Sequence, residues 1–122
     1  MRILVCEDQD AIRHMIQTLV QASGHEVVGV ALGAQAVEHA LTGSFDILLL
    51  DLMLPGVLDG FAVIEHLRAA EATRELPILV ISAMDDPESR ERARVLGATE
   101  FYGKPFRPLE LLNDLGKYTP RG

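Results

Sequence analysis

A single cysteine, Cys6, stands in the whole chain, so neither an intramolecular disulfide nor a cysteine-rich zinc site is expected to hold it together. No apolar run approaches the length of about eighteen residues that spans a bilayer, and the N-terminus lacks a signal-peptide pattern. Positive charge is scarce as well: eleven Lys and Arg stand against eighteen Asp and Glu, for a net charge of −7. Direct binding to nucleic acid or anionic lipid needs a basic face, which this balance argues against. Internal repeats, low-complexity tracts and interdomain linkers are also missing. What is there is 122 residues, 48% hydrophobic and 24% charged. That is the profile of one soluble globular domain over residues 1–122, most simply placed in the cytoplasm. Such a chain buries roughly 65% of the surface its unfolded form exposes, enough for a core without staples.

Short β-branched or Leu-rich runs alternate five times with longer amphipathic ones. Ile3 to Cys6, Glu26 to Val30, Ile47 to Asp51, Ile78 to Ile81 and Glu100 to Tyr102 read as strands. The third and fourth are apolar without alternation, as central strands covered on both faces should be. Ile12, Ile16, Leu19 and Val20 share one face of a helix from about Gln9 to Ala22, closed by Gly24. Ala36, Val37, Ala40 and Leu41 mark a second helix, closed by Gly43, and Phe61, Ile64, Leu67 and Arg68 a third. The fourth runs from about Pro87 to Val95, with Pro87 in its first turn and Gly97 beyond its end. The fifth starts near Pro108 and carries Leu109, Leu112 and Leu115, after which Thr119 to Gly122 read as a linker stub or a frayed end. Five β-then-α units imply a parallel sheet with helices on both faces and right-handed crossovers. Ligands of such sheets sit beyond the carboxyl ends of the strands.

Those ends carry chemistry. The first strand runs into Glu7 and Asp8, the third into Asp51, the fourth into Ser82 and Ala83, and the fifth is followed by Lys104 and Pro105. Three carboxylates, a hydroxyl and an ammonium thus converge. Two bare carboxylates 4 Å apart repel by about 4 kcal/mol at an effective dielectric of 20. Such a cluster raises a pKa, recruits a cation, or both. With oxygen donors only, the cation of choice is Mg²⁺, which favours sites completed by a phosphate oxygen. A carboxylate nucleophile, a metal, a hydroxyl donor and a Lys are the parts that in-line phosphoryl transfer onto an Asp requires. Taken alone, Glu7-Asp8 is also the makeup of a strand-to-helix turn or cap. Asp51, Ser82 and Lys104 at matching ends turn the pair into a site. Cys6 reads as a buried, inert residue, and His14, His25, His39 and His66 take surface-like positions with no assigned role.

With Ile3-Leu4-Val5-Cys6-Glu7-Asp8, Asp51-Leu52-Met53-Leu54-Pro55-Gly56 followed by Asp59-Gly60, Val80-Ile81-Ser82-Ala83, and Lys104-Pro105-Phe106, the chain resembles the receiver domain of bacterial two-component response regulators over essentially its whole length. The resemblance implies a flavodoxin-like, doubly wound, five-stranded parallel sheet in the order 2-1-3-4-5 with five helices. It implies a phosphorylation-dependent signalling switch, and not an enzyme beyond promoting its own phosphotransfer and dephosphorylation. Asp51 would be the phosphoacceptor, served by a histidine kinase or a histidine phosphotransfer protein. Asp8 and Asp51 would bind Mg²⁺ directly, Glu7 mainly through water, and Met53 through its backbone carbonyl. Ser82 and Lys104 would hold the phosphoryl oxygens, and Pro105 would follow a cis peptide bond. Ser82 and Phe101 would form the switch that remodels the surface of the fourth helix, fifth strand and fifth helix toward a downstream protein target or output domain. The same surface is a candidate homodimer interface, and Ala11 and Met15 are candidates for kinase docking.

Several positions depart from the family pattern. The stretch Pro55-Gly56-Val57-Leu58-Asp59-Gly60 is one residue longer than the usual proline-to-glycine spacing. The switch aromatic, commonly Tyr, is Phe101, which has no hydroxyl to bond a partner, and the few residues after the fifth helix are not expected to form an output domain. Met53 and Met84 stand two residues after Asp51 and Ser82, where the family flanks the path of the attacking water. Two other functions on related architectures fit less well. A flavin carrier needs a hydroxyl- and glycine-rich phosphate loop after the first strand, where Glu7-Asp8-Gln9-Asp10 would repel the phosphate. A hydrolase with an aspartyl nucleophile places an acid two residues later, where Met53 stands.

Overall fold

In the computed structural model, which describes residues 1–119, the apolar runs become the middle of a sheet. Residues 120–122, part of the stretch read as a linker stub or frayed end, lie outside the described residues. In chain order the elements are β1 (Arg2–Cys6), α1 (Asp10–Ala22), β2 (Glu26–Val30), α2 (Gly33–Thr42), β3 (Ile47–Leu50), α3 (Gly60–Ala69), β4 (Ile78–Ser82), α4 (Pro87–Leu96), β5 (Glu100–Gly103) and α5 (Pro108–Leu115), with single 3-10 turns at Glu71–Thr73 and Gly116–Tyr118. The five strands pair in the order β2-β1-β3-β4-β5, and every pairing is parallel. Every residue of β3 and β4 is buried, as uninterrupted apolar strands require when helices cover both faces.

The two-residue period of a strand sorts side chains between two cores. Leu4, Cys6, Leu48, Leu50, Ile78 and Val80 face α2, α3 and α4, where they meet Ala36, Ala40, Phe61, Val63, Ile64, Leu67 and Ala93. Ile3, Val5, Ile47, Leu49, Leu79, Ile81 and Tyr102 face α1 and α5, against Ile16, Val20, Leu111 and Leu115. The starts of α3 and α4 follow from their capping residues. Asp59 accepts a hydrogen bond from the Ala62 amide at 2.9 Å, and Asp86 does so from Ser89 at 3.1 Å, with Pro87 in the first turn of α4.

Three expectations are corrected. Leu41 and Leu109 are exposed, Leu109 to 75%. Leu115 is buried, and Leu111, four residues earlier on α5, takes the place beside it, because side chains at that spacing lie one above the other. Helix α1 ends as expected, Gly24 closing it at φ +89° just past the Ser23 cap; the Ser23 and Gly24 amides donate to the Val20 and Gln21 carbonyls. His25 is partly buried, its ring Nδ1 3.0 Å from the N-terminal ammonium. The strands begin or end one residue away from the sequence reading at four places, most notably β3, which stops at Leu50 and leaves Asp51 beyond the ladder.

Gly60 opens α3 hard against the end of β3. A Cβ built there would lie 2.4 Å from both the Asp51 carbonyl oxygen and the Leu52 Cα, and the Gly60 amide donates to the Leu52 carbonyl at 2.9 Å. Backbone cannot yield as a side-chain tip can. Gly60→Ala should therefore destabilise the domain by about 1–3 kcal/mol, read as a lowered midpoint in urea unfolding.

Candidate functional site

Register decides what meets at the carboxyl edge. Cys6 pairs with Leu50, so the next residues, Glu7 and Asp51, leave the sheet side by side. The Asp51 amide still donates to the Cys6 carbonyl at 3.0 Å, and the Glu7 amide to Val30 at 3.1 Å. Ser82 pairs with Gly103, which brings Lys104 next; its amide donates to the Ser82 carbonyl at 3.1 Å. The Lys104–Pro105 peptide is cis, as expected.

Glu7 is 2% exposed and Asp51 5%, while Asp8 faces solvent. One oxygen from each of the three lies within 4.8 Å of the others. Lys104 Nζ makes an ion pair with Glu7 and donates to Asp51 Oδ2 at 3.1 Å. The other Asp51 oxygen, Oδ1, accepts from the Met53 amide at 3.1 Å, and Glu7 Oε2 accepts from the Gln9 amide at 3.3 Å. Burial pushes the Glu7 carboxyl above the ordinary glutamate range, against the pull of its hydrogen bond to Lys104, and the Asp51 charge adds to the rise. Burial works against the Lys104 ammonium, but its bonds to Glu7 and Asp51 outweigh that and raise its pKa. The Cys6 thiol is pushed up to about 12, chiefly by burial and further by the three carboxylates, which leaves it inert.

Glu7, Asp8, Asp51 and Lys104 are thus brought into one cluster. Ser82 lies fully buried at the adjoining strand end, its hydroxyl accepting from the Met84 amide at 3.2 Å. Met53 is 53% exposed, whereas Met84 packs against the core. Phe101 is half-buried on the α4 side of β5. Among the exposed residues are Ala11 and Met15 on α1, and also Val57 in the long loop, whose neighbour Leu58 packs into the core. Sequence reasoning missed Arg13, which donates to the Glu7 carbonyl at 2.9 Å and pairs with Asp10 at 2.6 Å. The i,i+3 spacing of Asp10 and Arg13 was a usable signal for the second contact. It also missed the bond from the Tyr102 hydroxyl to Asp114 at 2.5 Å, a contact between elements that no local pattern announces.

Residues 3–115 match the family model described as the response regulator receiver domain. This chain belongs to that family. The receiver domain is 36% identical over 111 residues to the phosphate regulon transcriptional regulatory protein PhoB of Escherichia coli, covering 91% of this chain and 48% of PhoB. It spans about half the length of the curated relatives it matches. Among solved structures, chemotaxis protein CheY4 of Vibrio cholerae has a TM-score of 0.88 at 31% identity, over 96% of this chain and 97% of that one. The receiver domain of sensor histidine kinase PA1611 from Pseudomonas aeruginosa also has a TM-score of 0.88, at 33% identity, over 96% of this chain and 95% of that one. That structure has a magnesium ion coordinated in its active-site cleft. The function of this receiver domain is accordingly that of a phosphorylation-dependent two-component signalling switch, with Asp51 in its acidic pocket. No helix among the described residues is long and apolar enough to cross a membrane.

The donor set here fits the same kind of ion. Its side chains offer carboxylate oxygens, those of Glu7 and Asp51 buried and hydrogen-bonded and that of Asp8 open to solvent, and hard divalent cations take such ligands together with water. Lys104 meanwhile compensates two buried charges. Lys104→Met should cost about 3 kcal/mol of stability at neutral pH, since it leaves those charges unpaired. Adding Asp51→Asn should recover part of the loss, which a double-mutant cycle in urea measures.

Proposed function

We propose that Asp51 of this receiver domain accepts a phosphoryl group from a phosphohistidine on a histidine kinase or histidine phosphotransfer protein. The observation that carries the reading is the Asp51 carboxylate, buried yet at the open edge of the sheet, oriented through one oxygen by the Met53 amide and through the other by Lys104. A carboxylate oxygen of Asp51 attacks phosphorus while the donor's phosphorus–nitrogen bond breaks, the electron pair staying on the imidazole. Asp8 and Asp51 would hold Mg²⁺ directly, with Glu7 acting mainly through water and Met53 adding its carbonyl. When bound, the ion offsets the charge of the carboxylates and the incoming phosphoryl group.

Lys104 and the Ser82 hydroxyl then engage the phosphoryl oxygens, Lys104 giving up part of its pairing with Glu7 and Asp51. As Ser82 leaves the Met84 amide, Phe101 turns inward and the face made by α4, β5 and α5 changes shape. That face meets the downstream target or output domain, and a second copy of the chain is a further occupant. The reading takes the chain as one receiver domain that promotes only its own phosphotransfer and dephosphorylation, and that contacts neither nucleic acid nor membrane directly.

With Mg²⁺ and acetyl phosphate, the protein should gain one phosphoryl group by intact-mass measurement, and Asp51→Asn should gain none. Labelling that persists in Asp51→Asn would sink the assignment, and labelling that survives chelation of Mg²⁺ would sink the metal's role. A second outcome concerns the lifetime of the phosphoryl group. Neither Met53 nor Met84 can orient an attacking water by hydrogen bonding, and losing that orientation costs several kcal/mol of barrier. Phosphate release should therefore be slow in the parent and at least several-fold faster in the double variant Met53→Asn, Met84→Glu; equal rates would remove these positions from control of the lifetime.

A further inference from the structure

A ring without a hydroxyl has no polar atom by which a neighbour can locate it. Phe101 is nevertheless held. The Arg90 guanidinium carbon lies 4.6 Å from the centre of its ring, a distance at which the cation is attracted to the aromatic face. The same guanidinium donates through Nε to the Asp85 carbonyl at 3.0 Å. Asp85 belongs to the loop between β4 and α4, which follows Ser82 at the end of β4. The Met84 amide donates to the Ser82 hydroxyl, the Asp85 amide to the Ala83 carbonyl at 3.0 Å, and, in the first turn of α4, the Arg90 amide to the Asp86 carbonyl at 3.0 Å.

Gly103 makes room for this arrangement. A Cβ built on it would lie 2.5 Å from Asp85 Oδ2 and 3.5 Å from Arg90 Nη2, so the loop rests directly on β5 beside Phe101. The neighbouring Arg94 is engaged elsewhere, with Glu91 on its own helix at 2.6 and 2.9 Å.

We infer that Arg90 is a positioning residue that joins the β4–α4 loop and the Phe101 ring into one mechanical unit and holds both in the arrangement seen here. The inference rests on the reading of Ser82 and Phe101 as the switch. When Ser82 turns its hydroxyl to a phosphoryl oxygen, it releases the Met84 amide and frees the loop to move. Displacing Asp85 breaks its bond to Arg90, and turning Phe101 inward takes the ring from under the guanidinium. Both costs fall on the switched state only. A contact made in one of two states weights the equilibrium between them, so Arg90 raises the threshold that phosphorylation must overcome. The fork of a guanidinium suits this double duty, since it stacks by its face and donates from its edge.

The test titrates the protein with beryllofluoride in Mg²⁺, following Phe101 ring signals by NMR and taking an apparent Kd. Arg90→Ala should tighten that Kd about two- to fivefold, the scale of a lost exposed cation–π contact. In a Phe101→Leu background the same substitution should change it far less, because the stacked partner is gone. Arg94→Ala, which removes an equal charge from the same helix, should leave it unchanged. An unaltered Kd in Arg90→Ala, or an equal gain with and without Phe101, overturns the inference while leaving Asp51 and the switch intact. Phe101 signals that stay fixed on saturation of the parent overturn the switch reading itself, and the role of Arg90 with it.

Discussion

Lys104 stands between the buried carboxylates of Glu7 and Asp51, and the carboxyl edge of the sheet is organised around that contact. Two acids side by side in a poorly solvated place would repel, and one of them would take up a proton. The ammonium from the end of β5 compensates both, and it joins three separate strand ends as it does so. The balance is incomplete: Glu7 is still held above its ordinary range by burial and by the Asp51 charge. A cluster left short of positive charge, with Asp8 open to solvent beside it, suits a divalent cation and then a phosphoryl group. In the proposed reaction, the interaction that stabilises this edge is also the one that phosphorylation of Asp51 would have to rearrange.

The remainder of the fold supplies the precision this contact needs. Parallel pairing without slippage puts Glu7 beside Asp51 and Lys104 beside Ser82, and two cores pin the sheet from both faces. Gly60 lets α3 begin against the Asp51 carbonyl, so the acid's backbone is braced from behind. By contrast, α4 buries only Ala93. A helix so lightly anchored, beside the loop that follows Ser82, is where a rearrangement meets the least resistance.

Much of the architecture was legible because its signals are local. Strands β3 and β4 announced themselves as unbroken apolar runs, and Pro87 and Gly97 bracketed α4. The errors were local too. Leu41 and Leu109 were read among the residues that mark their helices, yet helix phase turned them to solvent. The acidic cluster was legible by a different route: residues of the right chemistry stood at successive strand ends, and the topology of a parallel sheet brings such ends together.

The sequence by itself determined the alternation of strands and helices, the residue types at the carboxyl edge and the resemblance to a receiver domain, because each is written in short-range patterns or in order along the chain. Only the tertiary structure decided that Lys104 bridges Glu7 and Asp51, that Met84 packs inward while Met53 stands exposed, and that Arg90 covers Phe101 while binding the Asp85 carbonyl. The first of these contacts spans 97 and 53 positions of chain. The contacts of Arg90 depend on how closely α4 approaches β5. Such distances and orientations follow from packing between elements, and no periodicity within one element encodes them.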